Sequence, residues 1–307
     1  MSSPEDVAPW SEQWSEPRSA RVSARVLGAV TWVRRPDGVA SGQAPWAGGV
    51  LNACYNALDR HVVHGRADQL ALELPAVGGG LTYAELLDRV GRFGGVLRAC
   101  GVGPGDVVLV ALPAGPEAVV ALLACARIGA VHAVLAPTTS AAEVRGWSQR
   151  WEPTVAVLVD GDPVAAVGEP GGHQPAVCVV LGAGRAAADL GERQVDWSTA
   201  MRENAVPPAG CVPLPAAHPL YVGPDQRLHP TGNVAALAVA GQHHAGVRAG
   251  EPWTPEPSVD WSRGHVWQVY PPLLAGATAR LPADEAVAPA PGRPAWLHVV
   301  EGGTHTP

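Results

Sequence analysis

The chain has no lysine: its 21 Lys+Arg residues are all arginine. A Schiff base, a lysine general base or a compact ammonium on a phosphate is therefore excluded within these residues, and phosphate chemistry would have to run on guanidinium groups. Charge of either sign is sparse, 16% of residues against about 25% in ordinary domains. With a formal net charge of −7, the chain has no basic face for a nucleic acid. Phenylalanine occurs once beside 11 tryptophans. Those tryptophans are not interleaved with arginine, so base stacking is a poor account of them, and core or interface packing is expected.

The five cysteines (Cys54, Cys100, Cys125, Cys178, Cys211) form no C-x-x-C pair. Neither a zinc site nor a disulfide framework is indicated, and reduced thiols in a cytoplasm are expected. His61 and His64, and the adjacent His243 and His244, lack a third ligand at metal spacing, so no metal is expected. No G-x-S-x-G elbow is present to supply a hydrolase nucleophile. The N-terminus has no basic segment followed by an apolar run, which predicts no signal peptide. The most apolar stretch, Ala118–Ala136, is broken by Arg127, Gly129 and His132, so it predicts a helix and then a strand, with no membrane partner.

Glycine and proline are abundant, 36 and 31 residues, which predicts long irregular stretches. Residues 1–45 carry Trp10, Trp14 and Trp32 without a sustained period and read as a lead-in arm. Order improves from Trp46. Thr82 and Glu85 make a T-x-x-E capping box, and Leu86, Val90, Phe93 and Leu97 recur at helical spacing towards Gly101. Val107–Leu112 is a continuous apolar run suited to a buried strand. Pro116 opens a second helix that Gly129 closes. Val131–Ala136 is a further strand, Ser140 and Glu143 make another capping box, and Thr154–Val159 and Ala176–Leu181 continue the alternation. Strand and helix in turn predict an α/β domain with a parallel sheet flanked by helices.

After about residue 205 prolines crowd the chain, at 207, 208, 213, 215, 219, 224 and 230. The last hundred residues are expected to be poorly ordered, with Val234–Ala240, Val266–Tyr270 and Leu297–Val300 the only strand candidates and Pro282–Pro294 without a packing face. Gly182, Gly184 and Ala187 follow an apolar run as G-x-G-x-x-A, which keeps a dinucleotide site as a lesser alternative.

Several blocks together resemble the N-terminal part of AMP-forming short-chain acyl-CoA synthetases, the propionyl-CoA and acetyl-CoA synthetases of the adenylate-forming superfamily. They are Trp46–His61, Leu81–Leu87, Gly101–Asp106, Pro116–Ala118, Leu123–His132, Val195–Asn204 and His218–Tyr221. The resemblance implies that family's fold, in incomplete form, over 46–221, with 222–307 a degenerate remnant. Where the family carries T-S-G-[ST]-T-G-x-P-K-G, this chain has Val222–Gly232, in which Asp225 would oppose a phosphate, Pro230 lacks an N–H and only Thr231 and Gly232 echo the loop. With GC-rich codons for Asp225–His229, the next reading frame spells Thr-Ser-Gly-Ser-Thr, the opening of the missing motif, so a local frame disturbance is expected. Ser258–Trp261, Gly264–His265 and Tyr270–Thr278 resemble the segment that walls the acyl pocket, with Trp261, Gly264 and His265 as its remnant and the acid displaced to Asp260. Ala136-Pro137-Thr138 replaces the family's glycine-and-phenylalanine turn near the CoA thiol.

The resemblance implies ATP with Mg and CoA as cofactors of the ancestral reaction, carboxylate plus ATP plus CoA giving acyl-CoA, AMP and pyrophosphate. The family continues well beyond the position of Pro307. On this reading the chain is a truncated homologue without catalytic residues of its own. As an alternative it is a binding or regulatory pseudoenzyme that takes a short-chain acyl or acyl-CoA ligand or pairs with a full-length synthetase.

Overall fold

Residues 20–36, 46–75, 78–168, 172–182, 190–255, 261–281 and 298–299 are described by a computed structural model of the chain. In chain order the elements are α1 (Ala20–Ala29), β1 (Val50–Leu51), a π-helical turn (Tyr55–Asp59), α2 (Arg60–Val63), β2 (Leu70–Leu74), β3 (Gly79–Thr82), α3 (Tyr83–Ala99), β4 (Val107–Ala111), α4 (Pro116–Ile128) and β5 (Val131–Val134). There follow α5 (Ala141–Trp151), β6 (Val155–Val159), α6 (Asp162–Gly168), β7 (Val177–Leu181), β8 (Gln194–Asp196), α7 (Trp197–Ala200), β9 (Leu214–Pro215), β10 (Pro219–Val222) and β11 (Leu228–Pro230). The last are α8 (Asn233–His243), β12 (Pro252–Trp253), α9 (Trp261–Ala275), β13 (Thr278–Arg280) and β14 (His298–Val299).

The helix starts follow the local chemistry. Thr82 accepts from the Glu85 backbone N–H at 3.2 Å while Glu85 accepts from the Thr82 N–H at 2.9 Å, so two orphan donors of α3 are satisfied. Ser140 and Glu143 do the same for α5. Pro116 occupies the first turn of α4, and Gly129 ends that helix at φ 85°, a left-handed position that needs no Cβ.

Seven strands form the central sheet in the order β11-β10-β5-β4-β6-β7-β8, parallel throughout except for the β10–β11 hairpin. Because side chains alternate along a strand, each apolar run serves two cores. Val108, Val110, Val155 and Val157 pack on the face shared with α3 and α4, and Leu109, Ala111, Ala156 and Leu158 on the face shared with α5 and α6. A second sheet runs β12-β13-β2-β3-β14, and β1 pairs with β9. The parallel α/β core expected from the sequence is present.

The region after 205 departs from expectation. Val234–Ala240 lies in helix α8 and Val266–Tyr270 in helix α9, so both apolar runs are helical, and β10, β11 and β13 order the segment further. Short apolar runs do not distinguish a buried helix from a strand. Two of the prolines are accommodated at ladder positions that need no donor: Pro219 begins β10 and Pro230 closes the edge strand β11. Pro282–Pro294 lies outside the described residues, as do Trp10, Trp14 and most of the lead-in arm. Of that arm, α1 is described, and Val26 and Val30 enter the core.

The proline-rich stretch also explains one glycine of α3 and caps a carbonyl of another. A Cβ on Gly95 would lie 2.2 Å from the Pro207 carbonyl oxygen, and Gly91 accepts a hydrogen bond from the Ala209 N–H at 2.8 Å. Replacing Gly95 with alanine should therefore cost about 1–3 kcal/mol through overpacking, although alanine is the better helix former by about 1 kcal/mol. Urea unfolding checks it; a variant as stable as the parent would place Pro207 elsewhere.

Candidate functional site

His132 sits inside an otherwise apolar strand, β5, and is fully buried. The parallel register sets Tyr221 of β10 opposite it, with ring centroids 5.8 Å apart. Helix α9 lies across this pair and brings His265 to 5.6 Å and Tyr270 to 6.2 Å from the His132 ring. Trp261, at the start of α9, lies 6.3 Å from His265. On the other side Tyr221 stacks on His229 of the hairpin at 4.6 Å and 4°. An unbroken run of rings thus leads from the exposed turn to the buried helix.

Several polar atoms here have no hydrogen-bond partner among the described residues: both ring nitrogens of His132, Nε2 of His265, Nε1 of Trp261 and the Tyr270 hydroxyl. Each such buried atom costs about 1–3 kcal/mol, so their clustering marks a place built to meet a polar group. The rings are held neutral. Burial, and then the neighbouring His265, push His132 well below the ordinary histidine range. Burial pushes His265 down to about 4, opposed by the Ser262 backbone, and the His265 Nδ1 lies 3.0 Å from the Ser262 carbonyl. That bond makes Nδ1 the donor and leaves Nε2 as an acceptor. Burial raises the hydroxyls of Tyr221 and Tyr270. The cluster offers neutral donors and one fixed acceptor and carries no formal charge to hold a phosphate.

Of the residues singled out in the sequence, Trp261, Gly264 and His265 are brought together on α9, all buried. Asp260 lies outside the described residues. Thr231 is also fully buried, with its hydroxyl unpartnered among the described residues. Gly232 sits where α8 begins, and a Cβ there would lie 2.7 Å from Trp46 and 3.0 Å from the Ala216 carbonyl, so its contacts are those of close packing. Gly182 closes β7 at φ 77°, while Gly184 and Ala187 lie outside the described residues.

The turn between β10 and β11 spans the positions where the sequence resemblance expects a phosphate loop. Three of its backbone donors are spent internally: Gly223 donates to the Arg227 carbonyl at 2.8 Å, Gln226 to the Gly223 carbonyl at 2.9 Å, and Arg227 to the Asp225 carboxylate at 3.1 Å. Asp225 also pairs with His229 at 3.2 Å. Burial raises the Asp225 carboxyl, but the bonds from His229 and Arg227 outweigh it and hold the group below its usual range. The anion that this turn binds is its own aspartate.

A second cluster is invisible to sequence spacing. Arg127, at the end of α4, bonds both oxygens of Asp59, at 2.8 and 3.1 Å, and reaches the Cys211 sulfur at 3.0 Å and the Cys54 sulfur at 3.6 Å. The available signal was an arginine inside an apolar run, as it was a histidine for His132.

The family model for AMP-binding enzymes matches residues 59–222, ending on the last residue of β10. The chain is 33% identical over 276 residues to the acetyl-coenzyme A synthetase of Syntrophus aciditrophicus, covering 80% of this chain and 42% of that protein. It is 30% identical over 277 residues to the mitochondrial acyl-CoA synthetase short-chain family member 3 of Homo sapiens, covering 81% and 40%. Among solved structures, acetoacetyl-CoA synthetase from Streptomyces lividans superposes with a TM-score of 0.69 at 26% identity, over 82% of this chain and 42% of that one. The chain spans less than half the length of the curated relatives it matches. Among the described residues no helix is long and apolar enough to cross a membrane.

Proposed function

Because this chain belongs to the family of AMP-binding enzymes, with the fold of an acyl-CoA synthetase N-terminal domain, we propose that it is a short-chain acyl-CoA synthetase homologue that keeps the acyl side of the site without ATP-driven activation of the acid. The observation that carries this reading is the closed turn at 223–227. A phosphate loop works by aiming free backbone N–H groups at the anion, and here those of Gly223 and Gln226 are bonded to carbonyls within the turn and that of Arg227 to the Asp225 carboxylate. No lysine in the chain adds charge. These residues do not fit the phosphates of ATP, and no adenylation step runs through them. The buried wall of Trp261, Gly264 and His265 supports the retention of a short acyl or acyl-CoA ligand.

The test measures propionate- and acetate-dependent exchange of pyrophosphate into ATP beside binding of propionyl-CoA by tryptophan fluorescence. No exchange above blank is expected, together with a saturable fluorescence change that His265→Ala weakens at least tenfold. Acid-dependent exchange would overturn the loss of chemistry, and a flat fluorescence titration would overturn the acyl site.

A further inference from the structure

Cys54 and Cys211 are distant in sequence, and an irregular helix sets Cys54 beside Asp59, against which Cys211 packs. The i→i+5 bonds of a π-helical turn stack residues five apart, which an α-helix, at 3.6 residues per turn, would place on different faces. The turn that Cys54 precedes therefore sets it beside Asp59, and the Cys54 and Cys211 sulfurs and an Asp59 oxygen all lie within 4.8 Å of one another. Such a trio has the composition of a soft-metal site, but its cation is already present: Nη1 of Arg127 lies 2.8 to 3.6 Å from all three atoms. What remains free to react is the sulfur pair.

Access is one-sided. Cys54 has no exposed surface. Cys211 is half-buried and lines a cavity of about 230 Å³ with Thr31, Asn52, Tyr55 and Pro213. Cys211 also belongs to a segment outside any helix or strand, between α7 and β9, so the sulfurs can close to the bond length of about 2.05 Å without deforming a ladder.

We propose that Cys54 and Cys211 are an oxidisable dithiol that takes small hydroperoxides through this cavity. The hydrogen bond to Cys54, burial and the nearby Asp59 carboxylate keep the Cys211 thiol up, with Arg127 alone opposing. Once the pair has lost one proton to solvent, transfer of the other along that bond to Cys54 leaves the charge on Cys211, beside the guanidinium. The Cys211 sulfur attacks the terminal oxygen of the hydroperoxide, the O–O bond breaks, and the leaving alkoxide takes a proton from solvent as alcohol. Cys211 is then a sulfenic acid. The Cys54 sulfur displaces its hydroxyl, which departs with the Cys54 proton as water, and the S–S bond forms. Two thiols lose two electrons, and one hydroperoxide is reduced to one alcohol and one water.

The test treats the folded, reduced chain with tert-butyl hydroperoxide, blocks remaining thiols with an alkylating agent and maps peptides without reduction. A Cys54–Cys211 cross-linked peptide that dithiothreitol removes is expected, with Cys125 and Cys178 still alkylated after unfolding. Cys54→Ser should leave a sulfenic acid on Cys211 that dimedone traps, while Cys100→Ser should change nothing. The proposal fails if both sulfurs remain alkylatable after oxidation of the folded chain, or if the cross-link forms only in denaturant.

Discussion

Replacing Arg127 with methionine should destabilise the chain by about 3–5 kcal/mol, the cost of breaking a buried ion pair by removing one partner. The guanidinium is 10% exposed and the Asp59 carboxylate 18%. It bonds that carboxylate in the two-pronged geometry that arginine alone provides, and its Nε donates to the Ala209 carbonyl at 2.6 Å. One side chain thus ties the end of α4 to the π-helical turn and to the proline-rich segment. Methionine matches the stem but leaves Asp59 charged, half-desolvated and facing two sulfurs. Adding Asp59→Leu to Arg127→Met should recover most of the loss, because two apolar groups of similar volume remove the orphan charge. Arg92→Ala on the surface of α3 should change stability by less than about 0.5 kcal/mol, since its i,i+4 partner Asp88 is 53% exposed. Urea midpoints at constant slope report all three. An Arg127→Met variant within about 1 kcal/mol of the parent would show that the pair does not hold these elements together.

Much of the fold was legible because its signals are local. The capping boxes at Thr82 and Ser140, the proline and glycine at the two ends of α4, and the apolar runs of β4 to β7 each state an element within a few residues, and the rule of right-handed crossovers assembles them. The second half was misread where it obeys no local rule. Helix α9 carries Pro271 and Pro272 inside it, and α8 is apolar on nearly every side, so neither shows the one-sided stripe of a surface helix. Both are buried helices, recognisable only once the elements that enclose them are known.

The candidate site was legible in part for the same reason. Trp261, Gly264 and His265 are neighbours in sequence and could be named together. His132 could be noticed only as a histidine out of place in a strand, since its partners Tyr221 and Tyr270 reach it through a parallel pairing and a helix crossing. Arg127, Asp59, Cys54 and Cys211 are further removed: Asp59 and Cys211 lie 152 positions apart, and the π-helical turn that aligns Cys54 with Asp59 has no composition signal.

Lowering the pH from 7.5 to 5.0 should remove about 4 kcal/mol of stability through His61 and His265 alone. Burial, with the neighbouring Arg60 second, pushes His61 down to about 4, and burial does the same to His265. In the unfolded chain both return to about 6.5. Between pH 6.5 and 4 the unfolded state therefore binds protons that the folded state refuses, and stability falls as pH drops through that window and is fully present above it. At pH 5 each group contributes about 2 kcal/mol of this loss. His132, buried and held neutral in the same way, adds in the same direction. His265→Gln cannot take up a proton, so it should shrink the difference between urea unfolding free energies at the two pH values by about 2 kcal/mol, whatever the substitution costs at either one. Comparing each variant with itself across pH separates titration from packing. If His265→Gln keeps the full parental difference, His265 does not stay neutral in the folded protein, and the uncharged character assigned to the ring cluster is wrong.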